Sequence, residues 1–240
     1  MKPPLFSLIL GSCCLSALLF FYPPYLKGDT IIESVIIDKT DSFLANPDIH
    51  EIGTPIQLNE NKWSGINLRI QTVSDLDFNK VIEIRLPSRN AMFSNPDERD
   101  LELKAFTQRA ATVMDSITRE KAGKPKSSIY RSVITDLNWL ASQKAVKKIA
   151  IIYSDLSENS FFSIYKPKDR SLLKAHPEQV KNRFEQAAKP LDLTGSEIYF
   201  IFRPKSERES DNFSLMVQVF KSILESAGAT VYIGANVVEK

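Results

Sequence analysis

What most constrains this chain is an alternation that starts at Gly28: short runs rich in β-branched residues exchange with longer stretches whose apolar residues recur every three or four positions. Strands of the first kind need helices of the second kind as cover, so the pattern implies an α/β sheet with helices on both faces. The runs Ile31–Ile37 and Lys148–Tyr153 are almost wholly apolar and read as strands buried on both faces. Asn67–Val73 and Lys80–Leu86 alternate apolar with polar residues, which predicts a hairpin with an exposed edge. Ile198–Phe202 and Thr230–Ile233 complete the strands.

Between them, Leu103, Phe106, Ala110, Val113, Met114 and Ile117 form one stripe on a helix over Pro96–Lys121, with Asn95 as its cap. Further helices are expected over Ser128–Gln143, after Pro177, and over Asp211–Ala227, where Gly228 supplies a left-handed stop. The architecture predicted is a Rossmann-like open, mostly parallel sheet of about six strands with one antiparallel edge strand. It is expected to occupy residues 29–240 as a single domain.

Residues 1–28 are of a different kind. The segment from Leu5 to Tyr22 holds 18 residues without a charge, preceded by Lys2 and followed by Pro23, Pro24 and Lys27. As a helix it would extend about 27 Å, enough to cross a bilayer. It reads as an uncleaved signal anchor with the remainder of the chain on the periplasmic or extracellular side. Two alternatives stay open: a cleaved signal peptide, and a bacterial lipoprotein signal in which Leu10-Gly11-Ser12-Cys13 resembles a lipobox and Cys13 is the lipidated residue.

Both cysteines, Cys13 and Cys14, belong to this segment, so the folded part can hold neither a disulfide framework nor a cysteine nucleophile. Lys plus Arg number 31 against 29 Asp plus Glu, a balance that argues against a nucleic-acid partner. With 8 Gly and 2 His there is little material for phosphate loops or histidine chemistry. Oxygen chemistry from acids, hydroxyls and amides remains.

In open parallel sheets ligands collect at the carboxyl ends of the strands, and two predicted strands end in aspartate. The first runs into Asp38-Lys39-Thr40-Asp41-Ser42 and another into Ser154-Asp155-Leu156, while Ser127-Ser128 opens the helix preceding the latter strand. An acid and two hydroxyls spaced by two can converge on one point, and oxygen-only ligands suit a hard cation such as Mg²⁺ or Mn²⁺.

In these residues the chain resembles a von Willebrand factor type A domain, over about residues 31–236. That family's metal-ion-dependent adhesion site combines Asp-x-Ser-x-Ser after the first strand, a Thr opening a later helix and an Asp after the fourth strand. The resemblance places the metal ligands at Asp38, Thr40, Ser42, Ser127 and Asp155, with Leu156 where the family often has Gly. It implies a binding module, not an enzyme, in which a bound cation accepts an acidic side chain from a partner protein. Phe161, Phe162 and Tyr165, in the loop after Asp155, are a candidate partner surface. Two other readings compete: a metal-free scaffold with a degenerate site, and an aspartate-based phosphatase, which would want a carboxylate where Thr40 stands.

Overall fold

Every residue from Ile31 to Asp38 is buried, a condition met only by a strand with neighbours on both edges and cover on both faces. In the computed structural model, which describes residues 29–40, 47, 49–73, 80–120 and 128–237, this strand is accordingly central. Strand β1 (Thr30–Asp38) pairs in parallel with β2 (Gly65–Val73) along its whole length, and on its other side with β4 (Lys147–Tyr153). β3 (Val81–Leu86) runs antiparallel to β2 at one edge. β5 (Ser196–Ile201) and β6 (Thr230–Gly234) extend the sheet in parallel, giving the order β3-β2-β1-β4-β5-β6. The open, mostly parallel six-stranded sheet with one antiparallel edge strand is therefore present as the sequence predicts.

Alternate residues of the strands feed two cores. Ile31, Val35 and Ile37 face the side covered by α1 (Ile49–Gly53) and α2 (Pro96–Arg119), whose Phe106, Ala110, Met114 and Ile117 are buried there. Ile32 and Ile36 face the side covered by α3 (Ile129–Ser142), α4 (Pro167–Ala175), α5 (Pro177–Ala187) and α6 (Glu207–Ser226). The predicted cap of α2 is made, with Asn95 Oδ1 accepting from the Asp97 amide at 2.9 Å. Gly228 takes a φ of +94°, and a β-carbon there would lie 2.5 Å from Thr194 Oγ1, so only glycine fits the end of α6.

α4 was not expected from the sequence, which suggests only a loop before Pro177; of its nine residues Leu173 alone is buried, too thin a stripe to read as helical period. The basic run Lys144–Lys148 does not continue the preceding helix but forms a loop and the first residues of β4. Lys148 Nζ nevertheless reaches the carbonyl of Ala141 in the last turn of α3 at 2.7 Å, where a cation suits the helix dipole. Two arginines tie the elements together. Arg99, buried in α2, donates to the carbonyls of Lys62, Ser64 and Pro87 at 2.7–2.8 Å. Arg69 of β2 donates to buried Asp136 of α3 at 2.7 Å and lies over the Trp139 ring.

Glu33 breaks the apolar run of β1. It is fully buried between Ile31 and Val35, and among the described residues neither carboxylate oxygen has a hydrogen-bond partner. Desolvation raises its pKa well above the ordinary glutamate range, with Lys147 opposing the shift. Folding thus takes up a proton at this site: the contribution to stability is fully present below the unfolded pKa near 4.5 and is lost as pH rises through the folded value. Replacing Glu33 by Met keeps the volume and removes the unmatched polar group. Urea unfolding at pH 7 should show Glu33→Met more stable than the parent by about 1–3 kcal/mol, with a shallower loss of stability from pH 5 to 8.

Candidate functional site

Register places the first aspartate. Ile37 of β1 pairs with Tyr153 of β4, so Asp38 lies alongside the residue that follows Tyr153. That residue is Ser154, and its hydroxyl donates to Asp38 Oδ2 at 2.8 Å. The other oxygen, Oδ1, accepts the Thr40 amide at 2.9 Å and the Thr40 hydroxyl at 2.6 Å, an Asx turn that bends the chain off the strand end. Asp38 is 1% exposed, whereas Thr40 and Asp155 are half-buried.

Burial raises the Asp38 pKa to about 6; the hydrogen bonds from Thr40 and Ser154 oppose that shift and the charge of nearby Asp155 adds to it. Asp155 is held in turn: Oδ1 accepts the Ser157 amide at 2.8 Å, and the Tyr165 hydroxyl lies 3.4 Å from Oδ2. Two carboxylates and the hydroxyls of Thr40 and Ser154 therefore share the carboxyl ends of β1 and β4. The donors are oxygens throughout, which fits a hard divalent cation. Among the described residues no group of three or more His, Cys, Asp or Glu gathers, so a cation here would rely on hydroxyls beside the two acids.

Of the five ligands predicted from sequence, Asp38, Thr40 and Asp155 come together; Ser42 and Ser127 lie outside the described residues, as does Cys13. Ser154 joins the site without being among the ligands that the sequence predicts. Its signal was available in principle, because a residue one step beyond a paired strand end faces the end of its neighbour.

Leu156 sits at a φ of +60°, the left-handed region where the resembling family often has Gly. The strain of about 1–2 kcal/mol is outweighed by a fully buried leucine side chain, and the Leu156 amide donates to Ser154 Oγ at 2.8 Å. The start of α3 is held from outside the helix. Ser128 makes no side-chain cap; instead buried Glu158 reaches across from the loop after β4 and accepts the Tyr130 amide at 3.1 Å. The loop and the helix start are thereby locked together.

The aromatic surface needs correction. Phe162 is 1% exposed and packs in the core, and Phe161 turns inward, edge-on to Phe184 at 4.9 Å. Apolar side chains in this loop fill the space above α5, so Tyr165 alone of the three is exposed, at 47%.

No protein-family model and no curated protein sequence matches this chain. Among solved structures it is similar to the D319A mutant of the PilB minor pilin from Streptococcus sanguinis, with 12% identity and a TM-score of 0.44 over 89% of this chain. It spans 59% of that pilin's length. It is also similar to the conserved hypothetical protein BatB from Bacteroides thetaiotaomicron, with 10% identity and a TM-score of 0.35, covering 87% of this chain and 91% of that one. Likenesses this remote carry no functional argument, which rests on the residues of the site.

The raised pKa of Asp38 has a sign that can be checked. Its contribution to stability is fully present below the unfolded pKa near 3.8 and is lost as pH rises through about 6. In metal-free buffer Asp38→Asn should abolish that loss and be the more stable protein at pH 8, by up to about 3 kcal/mol, in denaturant titrations at pH 4, 6 and 8.

Proposed function

We propose that this chain is a membrane-tethered, exported module resembling von Willebrand factor type A domains, which binds a partner protein through a divalent cation, Mg²⁺ or Mn²⁺. The observation that carries the reading is the convergence of Asp38, Thr40 and Asp155 at the carboxyl ends of adjacent parallel strands, with Asp38 buried and the Asp155 carboxylate close enough to raise its pKa. Asp38, Thr40, Ser42, Ser127 and Asp155 are the residues assigned to hold the ion; in sequence Ser42 follows Thr40 by two residues and Ser127 comes just before Ser128, the residue that precedes α3.

The residues prepare the site in three ways. Thr40 and Ser154 fix the orientation of the Asp38 carboxyl. Burial makes its charge costly, so that up to about pH 6 a proton neutralises it, and a cation can take that place above. Tyr165, exposed beside Asp155, is positioned to meet whatever approaches the ion. A bound cation would supply an open coordination position for a carboxylate of the partner. The expected localisation is membrane-anchored through residues 5–22, with the module on the periplasmic or extracellular side.

A metal-free scaffold is the second reading, and one observation favours it. Both oxygens of Asp38 already accept hydrogen bonds, so the cluster is satisfied without an ion. The phosphatase reading gains no such support, because the residue two after Asp38 is a threonine without the carboxylate that acid/base work requires.

Thermal unfolding of residues 29–240 separates the first two. With Mg²⁺ or Mn²⁺ at about a hundredfold above Kd, stability should rise by about 2.7 kcal/mol, and the rise should vanish with chelator or in Asp38→Ala. No shift with either ion would favour the metal-free scaffold, and a shift that persists in Asp38→Ala would remove Asp38 from the site.

A further inference from the structure

Among the described residues the most exposed of the large apolar side chains gather at one end of the molecule, while Val81, Tyr165 and Ile233, less exposed, lie at the other. Met92 and Phe93 are 82% and 83% exposed, Val146 64% and Leu191 55%. β3 runs antiparallel to β2, so the turn at 91–93 that follows it returns to the edge where β1, β2 and β4 begin. Val146 immediately precedes β4, and its amide donates to the Thr30 carbonyl at 3.0 Å. Leu191 lies on the segment that leads into β5. Leu101, 67% exposed in the second turn of α2, belongs to the same end, since α2 starts there. With about 4.8 Å between neighbouring strands, the edge from β3 to β5 is about 20 Å long.

The chain enters at this edge. The Asp29 carbonyl accepts the Gly65 amide at 2.8 Å, and the Arg89 amide donates to Trp63 at 2.9 Å, which ties the segment after β3 to the point of entry. Only residues 23–28 separate Asp29 from the apolar run 5–22, and fully extended they bridge at most about 25 Å between Tyr22 and Asp29. A membrane holding that run must lie within this distance of Asp29.

We propose that the edge of the sheet carrying Met92, Phe93, Val146 and Leu191 is apposed to the bilayer, with Met92 and Phe93 seated in the lipid interface. The proposal rests on the reading of residues 5–22 as a membrane segment. A paired Met-Phe turn at this exposure is the kind of apolar surface that a soluble face seldom leaves uncovered, and an interfacial lipid layer covers it without a protein partner. Charge around this edge is mixed: Arg89, Lys144 and Lys189 are exposed, as are Asp97, Glu98, Asp100 and Asp192. The contact is therefore apolar and does not require anionic lipid. Asp38 and Asp155, at the opposite ends of β1 and β4, face away from the membrane, toward a partner arriving from the aqueous side.

The test uses the full chain in phosphatidylcholine vesicles with and without brominated acyl chains. Phe93→Trp is compared with Ile233→Trp, a partly exposed position near the far end of β6, both against the parent with its Trp63 and Trp139. The added emission of Phe93→Trp should fall about twofold or more in brominated vesicles, and that of Ile233→Trp should not change. Met92→Trp should repeat the Phe93→Trp result, which separates contact with lipid from a local disturbance at one position. A chain that floats with the vesicles while Phe93→Trp and Met92→Trp are quenched no more than Ile233→Trp overturns the apposed edge and leaves the membrane segment standing. A chain that does not float with the vesicles overturns both.

Discussion

A carboxylate buried at the end of the central strand is the interaction around which this molecule is arranged. β1 is paired on both edges and covered on both faces, so its last residue cannot escape to solvent as the end of an edge strand would. Asp38 is kept there by the Thr40 turn on one oxygen and by Ser154 on the other. Holding Ser154 in place requires β4 in register with β1. Continuing past it requires Leu156 in a left-handed conformation that only a buried side chain makes worthwhile. The geometry of the strand ends, the loop after β4 and the start of α3 are thus parts of one assembly.

Much of the fold was legible because its signals are local. Apolar runs such as Ile149–Tyr153 and stripes such as Phe106, Ala110, Met114 and Ile117 can be read from spacing alone, and strand boundaries fell within two residues of those observed. Aspartates at two strand ends were visible for the same reason. What stayed hidden depends on contacts between distant segments. α4 has one buried residue and therefore no stripe. Ser154 joins the site through strand register, Glu158 caps a helix that begins almost thirty residues before it, and Phe162 is a core residue only because α5 and α6 lie beneath it. Glu33 stands in an otherwise apolar run, and nothing in its neighbours announces a buried carboxyl without a hydrogen-bond partner among the described residues.

The two ends of the parallel strands are chemically opposite. Their carboxyl ends gather the acids and hydroxyls around Asp38, and their amino ends, with the turn after β3, gather the most exposed apolar side chains beside the point where the chain enters. Such polarity suits the proposed module, which has one face for a membrane and the other for a partner, and it follows from strand direction alone. The same parallel order that sends Asp38 and Asp155 to one edge sends Val146 and Leu191 to the other.

The burial of the Asp38 carboxyl at a site fit for a cation is the central claim, and carboxyl ¹³C NMR measures its consequence most directly. Titration of the Asp38 carboxyl, first metal-free and then with Mg²⁺, is predicted to show it losing its proton near pH 6 and its midpoint falling when Mg²⁺ is added. An Asp38 carboxyl that titrates in the ordinary range near 3.8, independently of Mg²⁺, would contradict the account.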